Sequence, residues 1–157
     1  MTNENNFSKK INIHIVSLIK DLTDTDNENN TEYDEHIEFS KQGTLTVKGN
    51  VYEITYNENE DLGMSDIEST LRFKKDRPTM INLIRRGSAP ASLMFDTEYP
   101  RRSGTYCLGN IPFSFIICTN DVINTCSEHS GKIVLDYEIE IHGNTTEHNV
   151  FTLEYKE

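Results

Sequence analysis

Two rows of apolar residues in this chain each run into a charge. In Val51-Tyr52-Glu53-Ile54-Thr55-Tyr56 the alternation places Tyr52, Ile54 and Tyr56 on one face of a strand, and Glu58 is next in that row. In the stretch MINLIRRG (80–87), Ile81 and Leu83 share a face and Arg85 closes it. A carboxylate and a guanidinium in such places suit one another, because pairing is the tolerable way to hold ionised groups partly away from water. Two readings are open. As structure, the pair marks the rim of the fold and fixes strand register. As chemistry, Arg85 presents its planar fork to an anionic or carbonyl-bearing ligand, with Glu58 and a tyrosine (Tyr56 or Tyr106) holding it in place. The expected geometry is specific: both charges on the inner side near one end, partly buried and within reach of each other.

Other chemistry is thin. The histidines at 14, 36, 129, 142 and 148 are scattered, and only His142 and His148 are expected to face each other, across a hairpin whose loop is 143–147. Two histidines at a hairpin mouth read as solvated polar residues and not as a metal site. No GxSxG occurs, no cysteine has a basic neighbour in sequence, and the phosphate-cradling patterns GxGxxG and GxxxxGK[ST] are missing. The chain therefore reads as non-enzymatic, with no metal, no cofactor and no catalytic residue. Cys107, Cys118 and Cys126 are odd in number and lack CxxC spacing, which points to buried free thiols. Arg101 and Arg102, in PRRSGTY, are expected on a turn, either as a solvated patch or as an anion- or partner-binding one.

Charge is unevenly placed. The net charge is −11, and Asp21 to Glu38 holds eight acids and no Lys or Arg. Arg72 to Arg102 holds eight cations against Asp76, Asp96 and Glu98, a local net of +5. Overall acidity argues against non-specific nucleic-acid binding, which depends on neutralising phosphates. The start, MTNENNFSKKINIHIV, has no apolar core of signal-peptide length, and no run approaches about 18 apolar residues. A soluble, cytoplasmic protein without a membrane partner is expected.

The elements that must position these residues follow a period of two. KINIHIVSLIK (10–20) alternates; 21–35 is acidic and Asn-rich and reads as a mobile loop behind a disordered tail at 1–9. HIEFSKQGTLTVKGNVYEITYNE (36–58) reads as two or three strands, with Gly43 as a bulge or turn and Gly49-Asn50 as a hairpin turn. Further strands are expected at 65–75, 79–86, 91–96, 105–108, 112–119, 132–143 and 148–156, with a short helix able to hide in 120–129. Eight to eleven short strands joined by hairpin turns call for a sandwich or, given the strict one-face alternation at the C-terminus, a closed antiparallel barrel with little helix. One domain, 1–157, accommodates it.

In order along the chain, YNENEDLG, IRRG, LMF, GTY, Thr119 and SGKIVLDY resemble the DUF1934 or YwiB-like family of uncharacterised bacterial proteins, over about Ile11 to Tyr155. The matching positions are Tyr56, Glu58, Gly63, Arg85, Gly87, Phe95, Tyr106, Thr119, Gly131 and Tyr137. The resemblance implies a calycin-like, lipocalin-like β-barrel and no particular reaction. Barrels of that kind bind hydrophobic or amphipathic ligands inside. Here, however, the lipocalin Gly-x-Trp is missing, and the final strand reads Leu153-Glu154-Tyr155 where fatty-acid-binding barrels carry Arg-x-Tyr.

The first expectation is thus a calycin-like barrel binding a small amphipathic or anionic ligand at an open end through Tyr56, Glu58, Arg85 and Tyr106. The alternative is a barrel filled by its own side chains that acts as a protein-interaction module, through its outer strands and the basic region 72–102. Monomer and homodimer are both compatible with the sequence.

Overall fold

The structure, a computed structural model, describes residues 6–23, 33–58 and 67–157, the side chain of Leu108 excepted. Ten strands follow one another: β1 (Asn6–Asp21), β2 (Glu35–Lys48), β3 (Val51–Asn57), β4 (Glu68–Lys74), β5 (Arg77–Arg86), β6 (Ala91–Asp96), β7 (Arg101–Leu108), β8 (Ile111–Asn124), β9 (Ser130–Ile141) and β10 (Asn144–Lys156). Each pairs antiparallel with the next, and β1 pairs with β10 as well as β2, so the sheet closes into a barrel without edges. No helix occurs among the described residues.

Period-two alternation builds the interior. Row by row across the sheet, Val47, Tyr52, Phe73, Ile81 and Phe95 stand opposite one another, and so do Leu45, Ile54, Leu71, Leu83 and Leu93. Twenty buried side chains form one continuous cluster from Ile11 round to Tyr155 and fill the middle of the barrel. Each such side chain fully removed from water contributes roughly 1.5–3 kcal/mol. Because strand directions alternate, one end carries the start of β1, the end of β10, the turns at 49–50 and 75–76 and the loop 125–129; this is the terminal end. The distal end carries the turns at 87–90, 109–110 and 142–143.

Several sequence expectations change. Residues 6–9, assigned to the tail, open β1, with Phe7 opposite Val47; residues 1–5 lie outside the described residues. Asp21 and Glu35 belong to strands, and 24–32 of the expected mobile loop lie outside the described residues. Gly43 is neither bulge nor turn but sits inside β2. A Cβ there would come 2.3 Å from Ile13 Cδ1 and 2.7 Å from the Thr55 carbonyl oxygen, so close approach of β1 and β3 requires glycine. Arg101 and Arg102 lie in β7. In place of a helix at 120–129, β8 continues past a bulge between Thr119 and Asp121 and gives way to a loop. The last hairpin turns on His142-Gly143 alone, with φ of 52° and 81°, the paired positive values of a tight hairpin turn. β10 therefore starts at Asn144, and His148 pairs with Glu138 instead of facing His142.

Candidate functional site

At the distal end one cross-strand row reads Tyr56, Ser69, Arg85, Ala91, Tyr106, running across β3 to β7. It is the row directly beyond Ile54, Leu71, Leu83 and Leu93, so the apolar interior gives way here to polar side chains. Glu58 enters from the end of β3, where its N–H donates to the Ile67 carbonyl at 2.8 Å and extends the ladder towards β4. Its Oε1 accepts a 2.8 Å hydrogen bond from Ser69 Oγ and a longer one, 3.5 Å, from Arg85 Nη2. The Glu58 side chain is 15% exposed and that of Arg85 38%. The two charges meet near one barrel end, the carboxylate mostly enclosed and the guanidinium reaching water.

The environment is unequal around Arg85. Its Nε is buried and has no hydrogen-bond partner. Two phenols feel its charge. Tyr56 is pushed above the ordinary tyrosine range by burial and by Glu58, with Arg85 and Ser69 acting against the shift. Tyr137 is pushed up by burial and by Glu147, again opposed by Arg85. Both stay protonated at physiological pH and keep an O–H to donate. Tyr137 also packs edge-on against Phe95, ring centres 4.6 Å apart, which ties the site to the core. Tyr106, two strands beyond Arg85, stacks on Phe113 at 5.2 Å. Tyr56, Glu58 and Arg85 thus come together, while Tyr106 belongs to an aromatic lip on the β7–β8 hairpin.

Two further members escaped the sequence reading. Ser69 is a polar residue in the inward row Ile67, Ser69, Leu71, Phe73, the same signal that singled out Glu58. Tyr137 is indistinguishable by type from a core aromatic.

A second arginine–carboxylate cluster lies towards the terminal end. Asp96, at the end of β6, has a wholly enclosed side chain. Its Oδ2 accepts from Arg102 Nη2 at 2.7 Å and Arg77 Nη2 at 3.3 Å, and its Oδ1 accepts from the Glu98 N–H at 2.9 Å. The Asp96 N–H donates to Thr119 Oγ1 at 3.3 Å. The cluster spans a place where β6 and β7 pair only at Ala91–Tyr106 and Ser92–Thr105.

Elsewhere the fold brings Arg101 Nη1 to 3.5 Å from Cys118 Sγ. Burial nevertheless raises that thiol, Glu140 adds to the rise, and Arg101 only partly opposes it, so Cys118 is not a ready thiolate. A depression of about 810 Å³ lies on the outer wall over β2, β1, β10 and β9, lined among others by Asn12, His14, Ser40, Gln42 and Lys132.

The sequence profile of a family described as "Domain of unknown function (DUF1934)" matches residues 19–153. No curated protein matches the chain. Among solved structures, the ywiB protein from Bacillus subtilis is similar with a TM-score of 0.75, over 95% of this chain and 92% of that one, at 19% identity. Similarity at that identity carries the fold alone. No helix among the described residues is long and apolar enough to cross a membrane.

Proposed function

The chain belongs to the DUF1934 family, a domain of unknown function, and from the geometry of the distal barrel end we propose that it binds a small anionic or amphipathic ligand there. The observation that carries this reading is the under-used guanidinium of Arg85. Among the described residues its guanidinium meets one carboxylate, that of Glu58, at 3.5 Å, and its buried Nε meets no acceptor. A ligand carboxylate or phosphate offers the bidentate partner that Glu58 does not. Tyr56 and Tyr137 supply neutral O–H donors beside it, and the Tyr106–Phe113 stack offers an apolar flank. The filled middle of the barrel confines such a ligand to the end. Three free cysteines suit a reducing compartment, in keeping with a cytoplasmic role.

The rival reading, a partner surface on the basic region 72–102, draws less support. All six arginines of that region have acidic partners within the chain: Glu53 for Arg72, Asp96 and Glu98 for Arg77, Glu58 for Arg85, Glu68 for Arg86, Glu140 for Arg101 and Asp96 for Arg102. A positive patch in sequence is largely neutralised in space.

Native mass spectrometry of the purified protein, followed by thermal shifts with monocarboxylates of increasing chain length, tests the ligand reading. A retained anion or a chain-length-dependent shift is expected in the wild type, and neither in a folded Arg85→Ala variant. Equal retention or equal shifts in that variant would remove Arg85 from any ligand site.

A further inference from the structure

The outer face of the β1–β2 hairpin carries a hydrogen-bonded chain that linear spacing conceals. His14 and Ser40 are a cross-strand pair, and the Ser40 hydroxyl lies 2.7 Å from His14 Nδ1. On the far side of the ring, His14 Nε2 lies 3.0 Å from Glu38 Oε2. An ionised carboxylate can only accept, so the neutral imidazole carries its proton on Nε2. The lone pair on Nδ1 is then left facing the Ser40 O–H. Nucleophile, base and orienting acid in that order are what activates a serine, whichever ring nitrogen performs which task. Glu38 is itself held, its Oε1 lying 3.1 Å from His36 Nε2.

A serine and a histidine on an exposed strand pair carry no function without a place for substrate. Both line the depression of about 810 Å³, whereas Glu38 is not part of its lining. Asn12 and Gln42, the next cross-strand pair on the same face, line it too. They stand one pleat repeat from His14 and Ser40, about 7 Å along the strands, and add polar side chains to the same wall of the depression.

We propose that this is a serine acyl-transfer site that hydrolyses small carboxylic esters. Ser40 Oγ attacks the ester carbonyl carbon, and its proton passes to His14 Nδ1. The bond from that carbon to the alcohol oxygen breaks, the departing oxygen takes the proton from His14, and Ser40 is left acylated. Water then attacks the acyl carbon and gives a proton to His14. As the carbon–Ser40 bond breaks, Ser40 Oγ recovers that proton and the acid leaves. One ester and one water become one acid and one alcohol. An open site lacks the dry surroundings that favour difficult leaving groups, so esters of acidic alcohols are the class it takes. The site lies on the outer wall and stands independently of any ligand at the distal end.

The test treats the purified full chain with p-nitrophenyl acetate and, separately, with a fluorophosphonate, and maps the modified residue by mass spectrometry. Acyl and phosphonyl groups on Ser40 are expected, with both lost in Ser40→Ala. Nitrophenol release should slow roughly tenfold or more in His14→Gln, and less in Glu38→Gln. Ser8, an exposed hydroxyl on the same face that among the described residues meets Thr46 Oγ1 at 3.0 Å and no histidine, is the internal control. Label shared equally between Ser8 and Ser40, or release unchanged in Ser40→Ala, overturns the proposal. Circular dichroism checks that each variant folds, and should His14→Gln fail, the Ser40→Ala comparison decides alone.

Discussion

Towards its terminal end the barrel encloses Asp96 completely and surrounds it with two arginines, a backbone N–H and contacts of 2.7–3.3 Å. At the distal end Glu58 keeps some contact with water, and its arginine stands off at 3.5 Å. The first cluster is nearly saturated: Asp96 spends both oxygens, and it spans a seam where β6 and β7 share only two paired positions. The second is more open: among the described residues Arg85 meets one carboxylate oxygen, at 3.5 Å, and its Nε meets none. Arginine and carboxylate side by side therefore serve two ends. Closed and fully bonded they hold a wall together; open and half bonded they leave a charge available to something else.

Breaking the closed cluster should have the largest effect. Asp96→Ala leaves Arg77 and Arg102 facing a gap, and removal of one partner from a buried ion pair costs about 3–5 kcal/mol. Both arginines are more than a third exposed and regain some water, which places the expected loss near 3 kcal/mol. Urea unfolding measures it; a loss under about 1 kcal/mol would put Asp96 on a par with surface pairs.

Double-mutant cycles sharpen the contrast directly. The coupling between Asp96 and Arg102 should exceed that between Glu58 and Arg85 by at least about 1 kcal/mol. Equal couplings would erase the distinction between the two clusters. Smaller still is the expected cost of Arg85→Ala alone. The carboxylate it leaves keeps the bond from Ser69, so the loss should be about 0–1 kcal/mol. A loss of 3 kcal/mol or more, of the size of a broken buried pair, would recast Arg85 as structural.

What the sequence disclosed and what it hid follow the same division. The strand alternation, the hairpin at Gly49-Asn50 and the encounter of Glu58 with Arg85 were legible because each rests on period two and on apolar rows ending in charge. The ten strands of the closed barrel fall within the eight to eleven expected, and Gly49 indeed takes a positive φ of 59°. Asp96 was not legible: at the end of LMFD it looks like a strand meeting water, and only the fold brings Arg77 and Arg102 over it. Gly43 looked like a turn residue because the crowding from Ile13 and Thr55 comes from two other strands. The last hairpin was misplaced because the polar loop composition of 143–147 outweighed the two positive-φ positions that make the turn. His14 lies 24 residues from Glu38 and 26 from Ser40 and meets them only through the β1–β2 register.

The finest distinction between the two ends is in their response to acid. Burial alone would raise the pKa of Asp96, but the Arg102 hydrogen bond, the Glu98 and Tyr99 backbone N–H groups and the Arg77 charge outweigh it and hold the carboxyl below its usual range. A carboxyl depressed in the folded state contributes stability above its unfolded pKa, near 4, and loses it as pH falls through the lower folded value. Glu147, at the distal end close to Tyr137, behaves oppositely. Burial raises its pKa, the neighbouring Asn149 side chain pulls back, and the charges of Glu35 and Asp21 raise it again, with a net rise. Its ionised form therefore costs stability at neutral pH, and that cost disappears as pH falls through the raised value towards the unfolded one, near 4.3. Glu147→Gln should be slightly more stable than wild type at about pH 7, and the advantage should close by about pH 4. Asp96→Asn should be less stable at about pH 7, with a deficit that shrinks only below about pH 4. Urea midpoints at neutral, mildly acidic and strongly acidic pH read both slopes in one series. Should Glu147→Gln lose stability at neutral pH, or the Asp96→Asn deficit vanish already in mild acid, the two ends would not differ in the way their bonding implies.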